Sequence, residues 1–174
     1  MRPAFSLMIA LALAGWLWAA GGAPAQQART GPEMLAAAER SFSDVPFGAP
    51  ESPPGLTRVV EGDCQLWGEC IYRDADQVGH YFWEGELVVK SIEVADIGDR
   101  PIGALGIGTS RSMDDVVERV RRFLPEAEVD CREHAGADGV EYDCGATLGE
   151  GWIRVFFDAA RRLTAVRIDA RHFT

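Results

Sequence analysis

The chain has 174 residues, with 27 acidic side chains against 17 basic ones and a formal net charge of −10. The acids are spread along it instead of massed in a tail, and no basic patch offers the phosphate attraction that nucleic acid or an anionic membrane requires. A chain of this size makes one compact domain or two small ones, large enough to bury a core.

The first residues have the pattern of an export signal. Arg2 supplies the positive end, residues 4–20 the apolar run with Leu7, Met8, Ile9, Leu11, Leu13, Trp16 and Leu17, and Ala23-Pro24-Ala25 a small-x-small cleavage site. The run is short for a membrane span of ~20 residues. Residues 1–25 are therefore expected to be a signal peptide, leaving a periplasmic or secreted protein with no integral membrane span. No cysteine lies at the cleavage region, so no lipid attachment is expected there.

Beyond the signal, Thr30-Gly31-Pro32-Glu33 pairs an N-cap residue with a glutamate three positions on, and predicts a helix to about Phe42. Met34, Leu35, Ala38 and Phe42 are its inward positions. Four prolines between 46 and 54 make the next stretch a loop. Strands are expected at 56–60, 66–72, 80–83 and 87–94, the last two joined across Glu84-Gly85-Glu86. Short turns require these neighbours to be antiparallel.

Residues 97–108 read as a joint, with glycines around Ile102, Leu105 and Ile107, which are expected to be buried. Ser112 with Asp115 opens a second helix whose stripe is Met113, Val116, Val117, Val120, Phe123 and Leu124, and Pro125 stops it. Strands follow at 126–131, 140–144, 152–157 and 163–170. Along 152–157 the alternation sends Ile153, Val155 and Phe157 one way and Trp152, Arg154 and Phe156 the other.

The two halves echo one another. Placing Cys70 on Cys144 aligns 81–84 with 155–158 without a gap, and dropping two turn residues aligns 87–92 with 163–168. The expected fold class is α+β: two tandem repeats, 26–96 and 109–174, each a helix on a roughly four-stranded antiparallel sheet. Of the three possible cysteine pairings, Cys64–Cys70 with Cys131–Cys144 fits the repeat best in an oxidising compartment. Zinc held by Cys131, His134 and Cys144, or by Cys64, Cys70 and His80, is the rival; neither set has a CxxC knuckle or a fourth ligand at customary spacing.

No catalytic constellation stands out. Gly108-Thr-Ser110-Arg-Ser112 lacks the final glycine of a nucleophile elbow. The acidic pairs, such as Asp74 with Asp76 and Glu84 with Glu86, fall where turns recruit acids anyway. The 74–79 turn lacks the downstream glutamate of a calcium loop. No catalytic residue, metal or cofactor is assigned, and a non-enzymatic protein is expected. Aromatic residues are the more telling excess: Trp67, Tyr72, Tyr81, Phe82 and Trp83 in the first half, Trp152, Phe156 and Phe157 in the second. Those on a sheet face away from the helices have the character of protein-binding hot spots.

In element order, cysteine placement and repeat spacing the chain resembles the β-lactamase inhibitor protein family, whose fold the small outer-membrane assembly lipoproteins share in single copy. The resemblance implies a concave sheet surface lined with aromatics that grips a target enzyme, and an acidic hairpin after the first disulfide that enters its active site. At that point this chain has Cys70, then Asp74 and Asp76, then Tyr81 and Trp83. The expected function is that of an exported protein-binding module, an inhibitor of a periplasmic or secreted enzyme, with a protein partner contacted by Asp74, Asp76, Tyr81, Trp83, Trp67 and Trp152. The alternative is a structural or assembly factor of the cell envelope.

Overall fold

The computed structural model describes residues 29–51, 53–59, 69–136 and 139–171. The expected signal peptide, Cys64 and Trp67 lie outside the described residues.

Helix α1 runs over Gly31–Phe42. The Thr30 backbone N–H and hydroxyl both donate to the Glu33 carboxylate, at 2.8 and 3.0 Å. These bonds hold the Glu33 carboxyl below its usual range and satisfy a helix-start donor that has no intrahelical partner. Met34, Ala38 and Phe42 are buried, as the spacing predicts, with Leu35 packed partly against them. A short helix α2, Val94–Ile97, and a 3-10 turn at Ala104–Gly106 occupy the joint, where Ile102, Leu105 and Ile107 are all buried. Helix α3 is Met113–Phe123. Ser112 caps it by accepting from the Asp115 N–H at 3.4 Å, and acids in its first turn and arginines in its last complement the macrodipole.

The strands are β1 Thr57–Arg58, β2 Glu69–Arg73, β3 Gly79–Trp83, β4 Glu86–Glu93, β5 Asp130–Gly136, β6 Gly139–Leu148, β7 Gly151–Phe157 and β8 Leu163–Asp169. At the β3–β4 turn Glu84 and Gly85 both adopt positive φ, 52° and 84°, the left-handed pair that lets a two-residue hairpin follow the strand twist. The expected strand at 126–131 starts at Asp130 instead: the Ala127 N–H closes a turn onto the Leu124 carbonyl at 3.1 Å, and Asp130↔Gly145 is the first pair with β6.

The expectation of two separate four-stranded sheets is corrected. All eight strands form one antiparallel sheet in the order β1-β2-β3-β4-β8-β7-β6-β5, two meanders joined through their last strands. The join runs from Val89↔Asp169 to Glu93↔Ala165. Had the halves closed separately, β4 and β8 would each expose a row of unpaired backbone groups; pairing them removes both edges. Alternation along a strand reports which face a side chain takes but not which strand lies beside it, so the sequence could not distinguish the two arrangements.

One cluster unites the buried side chains of α1, α2 and α3 with Ile92, Val155, Phe157, Val166 and Ile168 from the sheet. All described helices therefore lie on one face. A smaller cluster of Cys70, Tyr72, Phe82 and Leu87 is covered by Val45, Phe47, Ala49 and Leu56.

Candidate functional site

The other face of the sheet receives no described helix. Strand registers put Ile71, Tyr81, Trp83, Val89, Ser91 and Glu93 on it from the first half, and Ala165, Arg167, Asp169, Trp152, Arg154, Phe156, Asp143, Arg132 and His134 from the second. Its middle is polar yet closely packed. Asp169 is fully buried and accepts two bonds from the Arg167 guanidinium, at 2.7 and 2.9 Å. Such a bidentate pair fixes both side chains. Ser91 donates to Glu93 at 2.6 Å. Burial, then the neighbouring Glu93 charge, pushes the Tyr81 phenol above its ordinary value.

Trp152 lies beneath two cations: Arg154 is 4.0 Å and Arg167 5.7 Å from its ring centroid. Arg154 also reaches Asp143 at 3.2 Å, and Asp143 stands 3.7 Å from His134. Gly145 floors a cleft of about 350 Å³ here, walled by Asp143, Thr147, Trp152 and Arg154, with Asp130 and Arg132 beside them. A Cβ at 145 would come within 2.2 Å of the Ile153 carbonyl oxygen. Only glycine lets β6 approach β7 this closely.

Of the residues expected to make the binding surface, Tyr81, Trp83 and Trp152 share this face. Trp83 is 38% exposed, the larger of the two most exposed hydrophobic side chains among the described residues. Asp74 and Asp76 are not brought to it. They sit in the β2–β3 turn, at the opposite end of β3 from Trp83. Asp76 borders a cleft with Phe42, Val78 and Ile97 on the helix side. Asp74 shapes its own turn: one carboxylate oxygen accepts from the backbone N–H of Asp76 and of Val78, each at 2.9 Å. Asp and Asn are recruited to turns for this bond.

Sequence reasoning missed a second group of residues, buried on the helix side. Lys90 and His80 are opposite one another on β4 and β3, and both are fully buried. The Lys90 ammonium donates to the Ser43 carbonyl at 3.1 Å and the Glu39 carbonyl at 3.4 Å, and lies 3.6 Å from the Glu39 carboxylate. It closes the C-terminal end of α1, where carbonyls lack partners. Burial lowers its pKa against the pull of Glu39. The available signal was a lysine at an inward position of β4, between the apolar Leu87 and Ile92.

His80 Nδ1 is 2.9 Å from the Val78 carbonyl and Nε2 is 2.9 Å from the Ser43 hydroxyl. A carbonyl can only accept, so Nδ1 carries the proton and Nε2 takes the hydroxyl hydrogen. That tautomer is the one a serine nucleophile would need from its base. Ser43, however, terminates α1, and carbonyl dipoles at a helix C-terminus oppose a developing oxyanion. The arrangement suits holding the chain in place better than acyl transfer.

Cys131 and Cys144 are directly opposite on β5 and β6 and bonded to each other, so the Cys131–His134–Cys144 set has no thiolates to offer zinc. Cys70 is also disulfide-bonded; its expected partner Cys64 lies outside the described residues. No helix among the described residues is long and apolar enough to cross a membrane. The chain matches no protein-family model, no curated protein and no solved structure.

Proposed function

We propose that the protein is an exported, non-enzymatic binding module that grips a protein partner with the open face of its sheet, in the manner of an enzyme inhibitor. The observation that carries this reading is the gathering of Tyr81, Trp83 and Trp152, with Arg154 and Arg167, on the one sheet face that no described helix covers. Large aromatics and arginine dominate binding energy at protein interfaces. Eight strands offer ample room for the ~800 Å² per partner of an ordinary complex. The resemblance to the β-lactamase inhibitor family supports the same surface, although the contacts attributed there to the Asp74 and Asp76 turn have no counterpart on this face.

Tandem repetition belongs to the same proposal. The seam pairs Lys90 with Ile168 and Ile92 with Val166. Under the alignment that sets 87–92 on 163–168 these two pairs exchange, as a two-fold axis through Ser91 and Arg167 would require. The gapless alignment of 81–84 does not fare as well. It sets Tyr81 on Val155, which take opposite faces, because a slip of one residue turns every side chain over.

The test is affinity capture from periplasmic extract with mature, oxidised protein, comparing wild type with Trp83→Ala/Trp152→Ala and with Asp76→Ala. The expected result is one stoichiometric enzyme that loses activity in the complex, is lost from the tryptophan variant and is retained by Asp76→Ala. Equal capture by the tryptophan variant overturns the assignment of the face. Recovery of envelope-assembly components transfers the function to the cell-envelope alternative.

A further inference from the structure

After Phe42 the chain turns back over the sheet as a flap, residues 43–51. Its far end is held by backbone pairs: Gly48 N–H to the Leu87 carbonyl, Leu87 N–H to Ala49 and Glu51 N–H to Gly85, each 2.9 Å. Its near end is held through Ser43, whose hydroxyl is bonded to His80 and whose carbonyl accepts from Lys90. The Phe47 N–H donates to the Glu39 carboxylate, the same group that faces Lys90. Beneath the flap Val45, Phe47 and Ala49 cover the small apolar cluster of Cys70, Tyr72, Phe82 and Leu87.

We propose that Ser43, His80 and Lys90 form an acid-sensitive latch: neutral His80 keeps the flap closed over this cluster, and protonation of His80 releases it. The proposal does not depend on the binding role of the opposite face.

Both ring nitrogens are committed in the neutral form, and the ring is fully buried. A second proton would set an imidazolium directly across from the Lys90 ammonium. The carboxylates nearby are largely engaged. Glu39 from α1 and Asp44 from the flap both act on Lys90. Asp74, from the β2–β3 turn, stands 3.9 Å from Nε2 while its other oxygen holds the turn amides. Burial outweighs Asp74, and the His80 pKa lies below 6.5. A cleft of about 340 Å³ lined by Ser43, Asp44, Val45 and Asp74 brings solvent to the near end of the flap.

The sign follows from linkage. In the open flap the ring returns to an ordinary value near ~6.5, so opening takes up a proton. Closure is fully supported above that value. As pH falls from it toward the closed-state pKa, the opening constant rises by at most about tenfold per pH unit.

Native-state amide exchange, corrected for intrinsic rates, tests the latch. Protection of the Gly48, Leu87 and Glu51 amides should fall between about pH 7 and about pH 5, by no more than about tenfold per pH unit, while the Val155 and Val166 amides stay unchanged. His80→Gln should abolish the dependence. Unchanged protection in the wild type, a fall shared equally by β7 and β8, or the same fall in His80→Gln overturns the latch. Should that variant not fold, ring nitrogen NMR of the wild type decides: His80 is expected to stay neutral and Nδ1-protonated below about pH 6.5, and titration at or above that value overturns the proposal.

Discussion

The Arg154 guanidinium lies over the Trp152 ring, 4.0 Å from its centroid, and at the same time 3.2 Å from Asp143. Neighbours at i and i+2 share a sheet face, so one side chain ties two strands together. A double-mutant cycle of Trp152→Leu with Arg154→Gln should give a coupling of about 1 kcal/mol by chemical denaturation. A coupling indistinguishable from zero would mean that the stacking adds nothing to stability.

Asp74 and Trp83 should separate stability from binding. Asp74→Ala removes the acceptor of two turn amides and should cost about 1–3 kcal/mol in urea unfolding. Capture of a partner at temperatures where the variant is folded should be unaffected. Trp83→Ala should do the reverse. Loss of binding in folded Asp74→Ala would return the turn to the contact surface.

The Cys131–Cys144 bridge spans 13 positions, and its removal releases a loop of that size in the unfolded chain. Cys131→Ala with Cys144→Ala should lower stability by about 3 kcal/mol. Because Cys144 is fully buried against the core, calorimetry of the double variant should show a lower Tm but still one cooperative transition.

Tyr81 governs the alkaline side. Its pKa is raised in the fold, so the unfolded chain ionises first. The contribution is complete below the unfolded value near ~10 and is lost as pH rises through the higher folded value. Tyr81→Phe should flatten stability above about pH 10, read from denaturation midpoints. An unchanged alkaline slope would assign that limb to another group.

Gly145→Ala forces a methyl group to within 2.2 Å of the Ile153 carbonyl oxygen. The β6–β7 pair must spread, and the variant should lose about 1–3 kcal/mol. Thr147→Ala, on the same strand and cleft, should stay within about 0.5 kcal/mol of wild type.

Local structure was legible where period and punctuation agree. The stripe of α3, the Thr30–Glu33 start of α1 and the Glu84-Gly85 turn all follow from spacing and end chemistry. The alternation along 152–157 assigned Trp152 and Arg154 to the face opposite Val155, where they lie. Three things were not legible. The β4–β8 join depends on partners far apart in sequence. The acids at 74 and 76 looked like a contact loop, yet the need of the turn amides for an acceptor accounts for Asp74. Lys90 and His80 were hidden because their partners are mostly backbone carbonyls and a serine, which leave no pattern in side-chain chemistry.

The seam where β4 meets β8 joins residues roughly 75 positions apart, a long loop to close before any contact compensates its entropy. Strands β1 to β4 can pair as soon as they are synthesised, but their inner edge stays open until the final strand exists. The Cys131–Cys144 bridge lies within that loop and shortens it by no more than its own 13 positions. Strand β8 is therefore a late keystone: losing its seven residues, Leu163–Asp169, would strip a neighbour from both β4 and β7 and leave each half with a bare edge able to recruit another chain.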